Sequence, residues 1–324
     1  MQKRTRKKGA RHALVIKDNV IRYVGSKRPD LVEIYVHGER YLPPGVVQDG
    51  QIVSVDTFST IVAECMDEWD LRRKEIQFCV PDSQVIIRNH KVDSSIPDEE
   101  IKGQLYLDLG ETLLLPFDDP VFDYIVLGIV NGQKDVLLFV SKEKTIQDYV
   151  EVFEELRLKP NAADLSALSA YRLFHELGKT KSDGYTMLIQ VDVLLANITI
   201  LYEHHPVFSR TIQTELEQTN WQAEQKSGST LLTWQGDEND LQNQIEELVS
   251  EVEKVMNFYR FNVLKGEGEI NQLLVCGDHP YLENITQRFK QTFSNDLICF
   301  DEKELPLPER FYDVLGLSLK KEVR

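Results

Sequence analysis

The sequence predicts an α/β protein made of two similar halves, with a small α/β unit inserted into the first. Three observations predict this fold. Both halves open with alternating apolar strands joined by short polar turns, at 12–36 and at 187–208. Helical spacing of apolar residues follows these strands in each half. A separate pattern of strand, helix and hairpin at 82–143 interrupts the first half.

Length and composition set the broad class of protein. The chain has 324 residues, enough for about two domains. Its 42% hydrophobic and 28% charged residues are typical of a globular protein and exclude wholesale disorder. A net charge of −16 argues against a nucleic-acid binder. The four cysteines form no CxxC pair, so we expect neither a metal site nor a disulfide framework.

The N-terminus is strongly basic. Residues 1–12 contain no acid and six bases, which are Lys3, Arg4, Arg6, Lys7, Lys8 and Arg11. We interpret 1–11 as a disordered, solvated arm, and the alternative is a tail that contacts an anionic membrane surface. The chain shows no apolar run of membrane-spanning length and no signal-peptide pattern, so we expect a cytoplasmic protein.

The first half continues from its opening strands with alternating helices and a strand. The predicted elements are a helix over 58–69, a strand over 75–80, a helix from Thr145 to Lys159-Pro160 and a helix over about 164–177. A polar hinge at 179–184 follows Gly178. We therefore assign 12–81 and 144–180 to the first domain.

The insertion at 82–143 has clear start and turn signals. Pro97 followed by Asp98, Glu99 and Glu100 predicts the start of a helix that ends near Gly110. The dipeptide Asn131-Gly132 joins two apolar runs, which indicates a β-hairpin.

The second half, 181–308, repeats the order of strands followed by helices. We expect an outer lobe at about 211–262, irregular where the chain is polar and helical from Leu241 onward. A strand over 270–276, a helix, a short strand and a terminal helix complete the chain.

The order of these segments resembles the PilM family, cytoplasmic actin-like proteins of type IV pilus assembly, to which the cell-division protein FtsA is related. The matching segments are Val80-Pro81-Asp82, the stretch 115–124, 142–160 with 165–170, Gln190-Val191-Asp192 with 206–210, and 312–319. The resemblance implies an actin-like (ribonuclease H-like) duplicated fold. It also implies that a C-terminal helix at 309–320 returns to the first domain.

The resemblance further implies a nucleotide cleft between two hairpin turns. Its counterparts here are Asp18, Asn19, Asp192, Asn197, Gly277 and Asp278. Glycine and hydroxyl residues are missing from the first turn, and Leu194 and Leu195 stand in the second. We interpret these positions as remnants with structural roles. We expect no enzyme activity and no cofactor, while ATP and magnesium follow from the resemblance alone.

The resemblance implies a scaffold function. PilM-like proteins bind the N-terminal cytoplasmic peptide of a PilN-like single-pass membrane protein between the first domain and the insertion. The nearest motif positions here are Pro116, Phe117, Asp123 and Tyr124. An equal alternative is that these four residues only fold the insertion. Other pilus components would be further partners, at the inner face of the cytoplasmic membrane, and homo-oligomer formation stays open.

Three other functions remain alternatives. The first is a functional ATP-binding ATPase of the same or of a cell-division system. The second is an FtsA-like membrane-tethered filament former, which would need an amphipathic helix near the C-terminus. The third is an unrelated α/β enzyme, for which no motif is visible.

Overall fold

A computed structural model of the chain describes residues 10–226 and 229–321. The strands are β1 (Arg11–Lys17), β2 (Val20–Ser26), β3 (Ile34–Tyr41), β4 (Val47–Gln48), β5 (Gln51–Ile52), β6 (Glu75–Val80), β7 (Val85–Asp93), β8 (Pro120–Val130), β9 (Gln133–Lys142), β10 (Lys159–Leu165), β11 (Tyr185–Val191), β12 (Leu195–Tyr202), β13 (His205–Gln213), β14 (Trp221–Lys226), β15 (Ser229–Trp234), β16 (Ile270–Cys276) and β17 (Asp296–Cys299). The helices are α1 (Val55–Glu68), α2 (Ile101–Asp108), α3 (Glu143–Glu155), α4 (Ser166–Glu176), α5 (Glu238–Phe258), α6 (Leu282–Thr292) and α7 (Tyr312–Ser318).

Two five-stranded sheets have the same strand order. The first sheet runs β3-β2-β1-β6-β10 and the second runs β13-β12-β11-β16-β17. In each sheet three consecutive strands form an antiparallel meander, and two parallel strands complete the other side. Short turns suffice for the meander, whereas the parallel strands require longer crossover connections. This repeated order confirms the duplicated α/β fold.

Helices cover both sheets and also lie between them. One apolar core packs α1 and α3 on the first sheet, and a second packs α5 and α6 on the second sheet. A third core contains residues of both sheets together with α4 and α7. Gly316 of α7 lies so close to α4 that an added Cβ would be 1.9 Å from the Ser169 carbonyl oxygen. The C-terminal helix α7 therefore packs tightly against α4 and the first sheet.

The insertion forms a small unit with its own core. Its sheet runs β7-β9-β8 and packs α2 through Ile101 and Leu105. The turn between β8 and β9 is Asn131-Gly132, and both residues have positive φ. That conformation is typical of a two-residue hairpin and confirms the predicted turn.

Three segments differ from the sequence-based expectations. Arg11 is buried at the start of β1, so it is not part of a solvated arm; the other five bases lie outside the described residues. Residues 159–165 form edge strand β10, although Pro160 indicated a break. An edge strand tolerates proline because one side of its backbone needs no ladder partner. The expected irregular lobe contains the hairpin β14–β15.

In the described part of the chain, no helix is both long enough and apolar enough to cross a bilayer.

Candidate functional site

The interdomain cleft is built by the first hairpin of each half. Lys17 is the last residue of β1, and Asp192 directly follows β11. The Lys17 Nζ lies 2.9 Å from Asp192 Oδ1. The cleft is thus spanned by an ion pair at the point where the two hairpins approach each other.

Two further carboxylates contact the same ammonium. Lys17 Nζ is 3.1 Å from Asp278 Oδ2, which follows β16, and 2.8 Å from Asp313 Oδ2 in α7. The Arg22 guanidinium, whose side chain is 1% exposed, also donates to Asp278 and contacts Glu39. Two cations and several acids from separate parts of the chain therefore form one buried ion cluster.

The cluster changes the titration of its members. Burial alone would lower the pKa of Lys17, but the three carboxylates hold it well above its ordinary value. Burial alone would raise the pKa of Asp278, and the neighbouring Lys17 and Arg22 hold it well below its usual range. Burial raises the pKa of Asp192, and the other acids add to that effect against Lys17. Lys17 and Asp278 therefore stay charged at neutral pH.

The other predicted cleft residues have structural partners. The Asp18 carboxylate accepts hydrogen bonds from the N–H groups of Asp49 and Gly50, at 2.7 and 2.9 Å. The Asn19 carbonyl accepts one from the Leu42 N–H. Asn197, within β12, accepts one from the Thr211 hydroxyl at 3.0 Å. Of the predicted set, only Asp192 and Asp278 belong to the ion cluster.

Gly277 meets a purely steric requirement. Its φ is +147°, and an added Cβ would lie 1.9 Å from the Val191 carbonyl oxygen. Glycine is therefore needed where the chain leaves β16 and passes β11.

The cleft has little free space. A cavity of about 30 Å³ remains beside Lys17 and Asp192, and it is also lined by Asp18, Asn19, Leu194 and Leu195. That volume holds about two water molecules, whereas ligand pockets span roughly 300–1,000 Å³. The ATP and magnesium that the resemblance implies do not fit among these residues.

A larger cavity lies between the first sheet and the insertion. It measures about 380 Å³, and we call it the groove. Apolar side chains form most of its lining, which comprises Val80, Val85, Val121, Phe122, Phe139, Val140, Ile146, Ala163, Leu165 and Leu168, with the polar residues Asp123, Ser141, Asp164 and Lys320.

Two edge strands lie along the groove. β8 is an edge of the insertion sheet and β10 is an edge of the first sheet. An edge strand presents backbone N–H and C=O groups that can pair with an extended segment. The groove therefore combines apolar surface with backbone hydrogen-bonding capacity.

The polar groups of the groove differ in how they are satisfied. Asp164 is buried and is neutralised by Arg172 Nη2 at 2.8 Å and Lys320 Nζ at 2.9 Å. The Ser141 hydroxyl is buried and has no hydrogen-bond partner among the described residues. Asp123 is exposed at the rim. A ligand could therefore meet an unpaired hydroxyl on the floor and a carboxylate at the edge.

The four residues predicted for a peptide groove lie in different surroundings in the structure. Asp123 lines the groove. Phe117 and Tyr124 pack against the core of the insertion, and the Tyr124 hydroxyl donates to the Asp98 carbonyl at 3.3 Å. Pro116 is exposed and is not among the lining residues of this cavity. Side chains alternate along β8, so Asp123 and Val121 share a face that Tyr124 does not. This alternation, applied to the predicted Asp123, could have identified Val121 as a second groove residue.

A comparison with family models shows to which family the chain belongs. The model of the family described as type IV pilus assembly protein PilM matches residues 20–302. The chain belongs to the PilM family. The predicted family resemblance is thus confirmed.

Solved structures agree with this assignment at the level of the fold. A structure described as the PilM-PilN type IV pilus biogenesis complex matches with a TM-score of 0.73 and 14% identity, covering 95% of this chain and 97% of that chain. The ethanolamine utilization protein EutJ from Carboxydothermus hydrogenoformans matches with a TM-score of 0.55 and 12% identity, covering 96% and 89%. The predicted actin-like fold of this PilM-family protein is confirmed.

Proposed function

We propose that this PilM-family protein is a cytoplasmic, non-enzymatic scaffold of type IV pilus assembly. In this proposal it binds the N-terminal cytoplasmic peptide of a PilN-like single-pass membrane protein in the groove. The partner would hold the scaffold at the inner face of the membrane. The observation that carries the proposal is the groove itself, an apolar channel of about 380 Å³ between two edge strands.

The chemistry of the groove supports an extended, largely apolar segment. Val121, Phe139 and Leu168 can bury apolar side chains, at roughly 25 cal/mol per Å² of apolar surface removed from water. The free edges of β8 and β10 can supply backbone hydrogen bonds. Arg172 and Lys320 neutralise the buried carboxylate of Asp164, which would otherwise oppose the burial of apolar side chains beside it.

A binding titration tests the proposal. A synthetic peptide is made from the cytoplasmic N-terminus of the PilN-like protein encoded by the same organism, and its affinity is measured by fluorescence anisotropy. We expect Val121→Asp to weaken binding at least tenfold because it places a charge on the groove surface. Ile129→Asp is the matched control, since Ile129 lies on the same strand, is 63% exposed and does not line the groove.

Two outcomes would contradict the proposal. One is that the wild-type protein fails to bind the peptide. The other is that both β8 variants weaken binding equally, which would place the peptide elsewhere on the insertion.

A further inference from the structure

The Lys17 ammonium contacts acids from three different segments. Here its nitrogen lies between 2.8 and 3.1 Å from carboxylate oxygens of Asp192, Asp278 and Asp313. Two of these acids belong to turns of the second half, and the third belongs to the C-terminal helix α7. One side chain of the first half thus holds three other parts of the chain.

The three acids need a cation where they are. All three are buried, and Asp278 has a side-chain exposure of 1%. Buried carboxylates that lack a counter-charge are costly. Arg22 contacts Asp278, whereas Lys17 contacts Asp192, Asp278 and Asp313, so Lys17 is the group that joins these acids.

With the Lys17 side chain in place, the surroundings leave no room for a further cation. The adjoining cavity of about 30 Å³ is lined in part by Leu194 and Leu195. Asp18, whose carboxylate could face a cation, is already bound to the N–H groups of Asp49 and Gly50. The residues of the cleft therefore do not fit the ATP and magnesium expected for an actin-like fold.

We propose that the Lys17 ammonium is a built-in substitute for the nucleotide-bound cation, which holds the two halves closed without any ligand. A covalently attached cation cannot dissociate or be exchanged. The closed arrangement of the two halves then does not depend on whether nucleotide is available.

The first test uses the wild-type protein and magnesium with ATP at millimolar concentration. A ligand at 100 times its dissociation constant would raise the melting temperature by several degrees. We expect a shift of less than 1 °C, and no binding of a fluorescent ATP analogue. A magnesium-dependent rise of several degrees would overturn the proposal.

The second test removes the ammonium. Lys17→Met should melt several degrees below wild type, and millimolar Mg²⁺ or Ca²⁺ should recover part of that loss, because three acids then lack their counter-charge. The matched control is Lys27→Met, which makes the same charge change at an exposed residue and should show neither effect. The proposal would be refuted if Lys17→Met melted like wild type and its melting temperature did not change with divalent cations.

A third variant covers the case in which Lys17→Met does not fold. Combining it with Asp313→Asn removes one acid together with the cation. We expect this double variant to fold and to melt above the single variant. If the single and the double variant are equally unfolded, removing an acid does not compensate for the lost ammonium, and the proposal is wrong.

Discussion

Lys17 and Asp192 face each other across the cleft at 2.9 Å, and each stands at the end of the first strand of its own half. The duplicated fold thus brings two related positions together with opposite charge. In this PilM-family protein the meeting point of the two halves is an ion pair.

Arg22 should be essential for stability. Its buried guanidinium contacts both buried Asp278 and partly buried Glu39, so Arg22→Met leaves each acid without one of its counter-charges. We expect a loss of about 3–5 kcal/mol in the free energy of unfolding, measured by urea denaturation. Arg40→Met is the control, because Arg40 pairs with exposed Glu64 and Glu68 and should cost about 1 kcal/mol or less. Equal losses would contradict the buried-cluster explanation.

Asp82 should give stability a measurable pH dependence. Burial raises its pKa to about 6, although the Ser166 hydroxyl and Lys17 oppose that effect. An acid whose pKa is raised by folding stabilises the folded state below its unfolded pKa. That contribution is lost as the pH rises from about 4 through 6.

Asp82→Asn should therefore be more stable than wild type at pH 7.5, by about 1–2 kcal/mol, and equal to it near pH 4. Urea denaturation between pH 4 and 8 measures this difference. Asp183→Asn, at an exposed position, should match wild type throughout. A constant difference for Asp82→Asn at every pH would show that the carboxyl does not titrate in this window.

Two helical glycines should respond to alanine in opposite directions. Gly316→Ala would place a Cβ 1.9 Å from the Ser169 carbonyl oxygen and force α7 away from α4. We expect a loss of about 1–3 kcal/mol. Gly103→Ala in α2 meets no atom within 4 Å and should gain up to about 1 kcal/mol from helix propensity. Thermal melts of both variants test this; a stabilised Gly316→Ala would show that the helices separate freely.

The Ser141 hydroxyl should destabilise the protein when the groove holds no ligand. Its hydroxyl is buried in the groove without a partner among the described residues, which carries a desolvation cost. Ser141→Ala is expected to raise the free energy of unfolding by about 1 kcal/mol. Ser209→Ala, on a less buried strand position of the second half, is a control of equal chemistry and should change little. A destabilised Ser141→Ala would mean that the hydroxyl is already satisfied.

Local sequence signals predicted much of the fold correctly. Asn131-Gly132 determines its hairpin because both residues readily adopt positive φ. Alternating apolar residues predicted the opening meanders of both halves. Strand β10 was missed because Pro160 indicates a break, and only its place at the edge of the first sheet makes proline acceptable.

The candidate sites were less predictable, because their residues come from distant parts of the chain. Asp192 and Asp278 were predicted from the family resemblance, whereas their partners Lys17 and Asp313 were not among the predicted cleft residues. In the groove, Asp123 was predicted, whereas Leu168 and Ser141 were not, since three elements must pack before they share one cavity.

The sequence by itself determined the class of fold, the duplication, the inserted unit and the family, because these depend on periodicity, turn residues and the order of segments along the chain. The tertiary structure alone decided that the cleft is spanned by Lys17 and that the groove is lined by β8, β9, β10 and α4. The physical reason is that charge pairing and cavity shape depend on distances between segments up to 296 residues apart, as between Lys17 and Asp313. No local pattern encodes those distances.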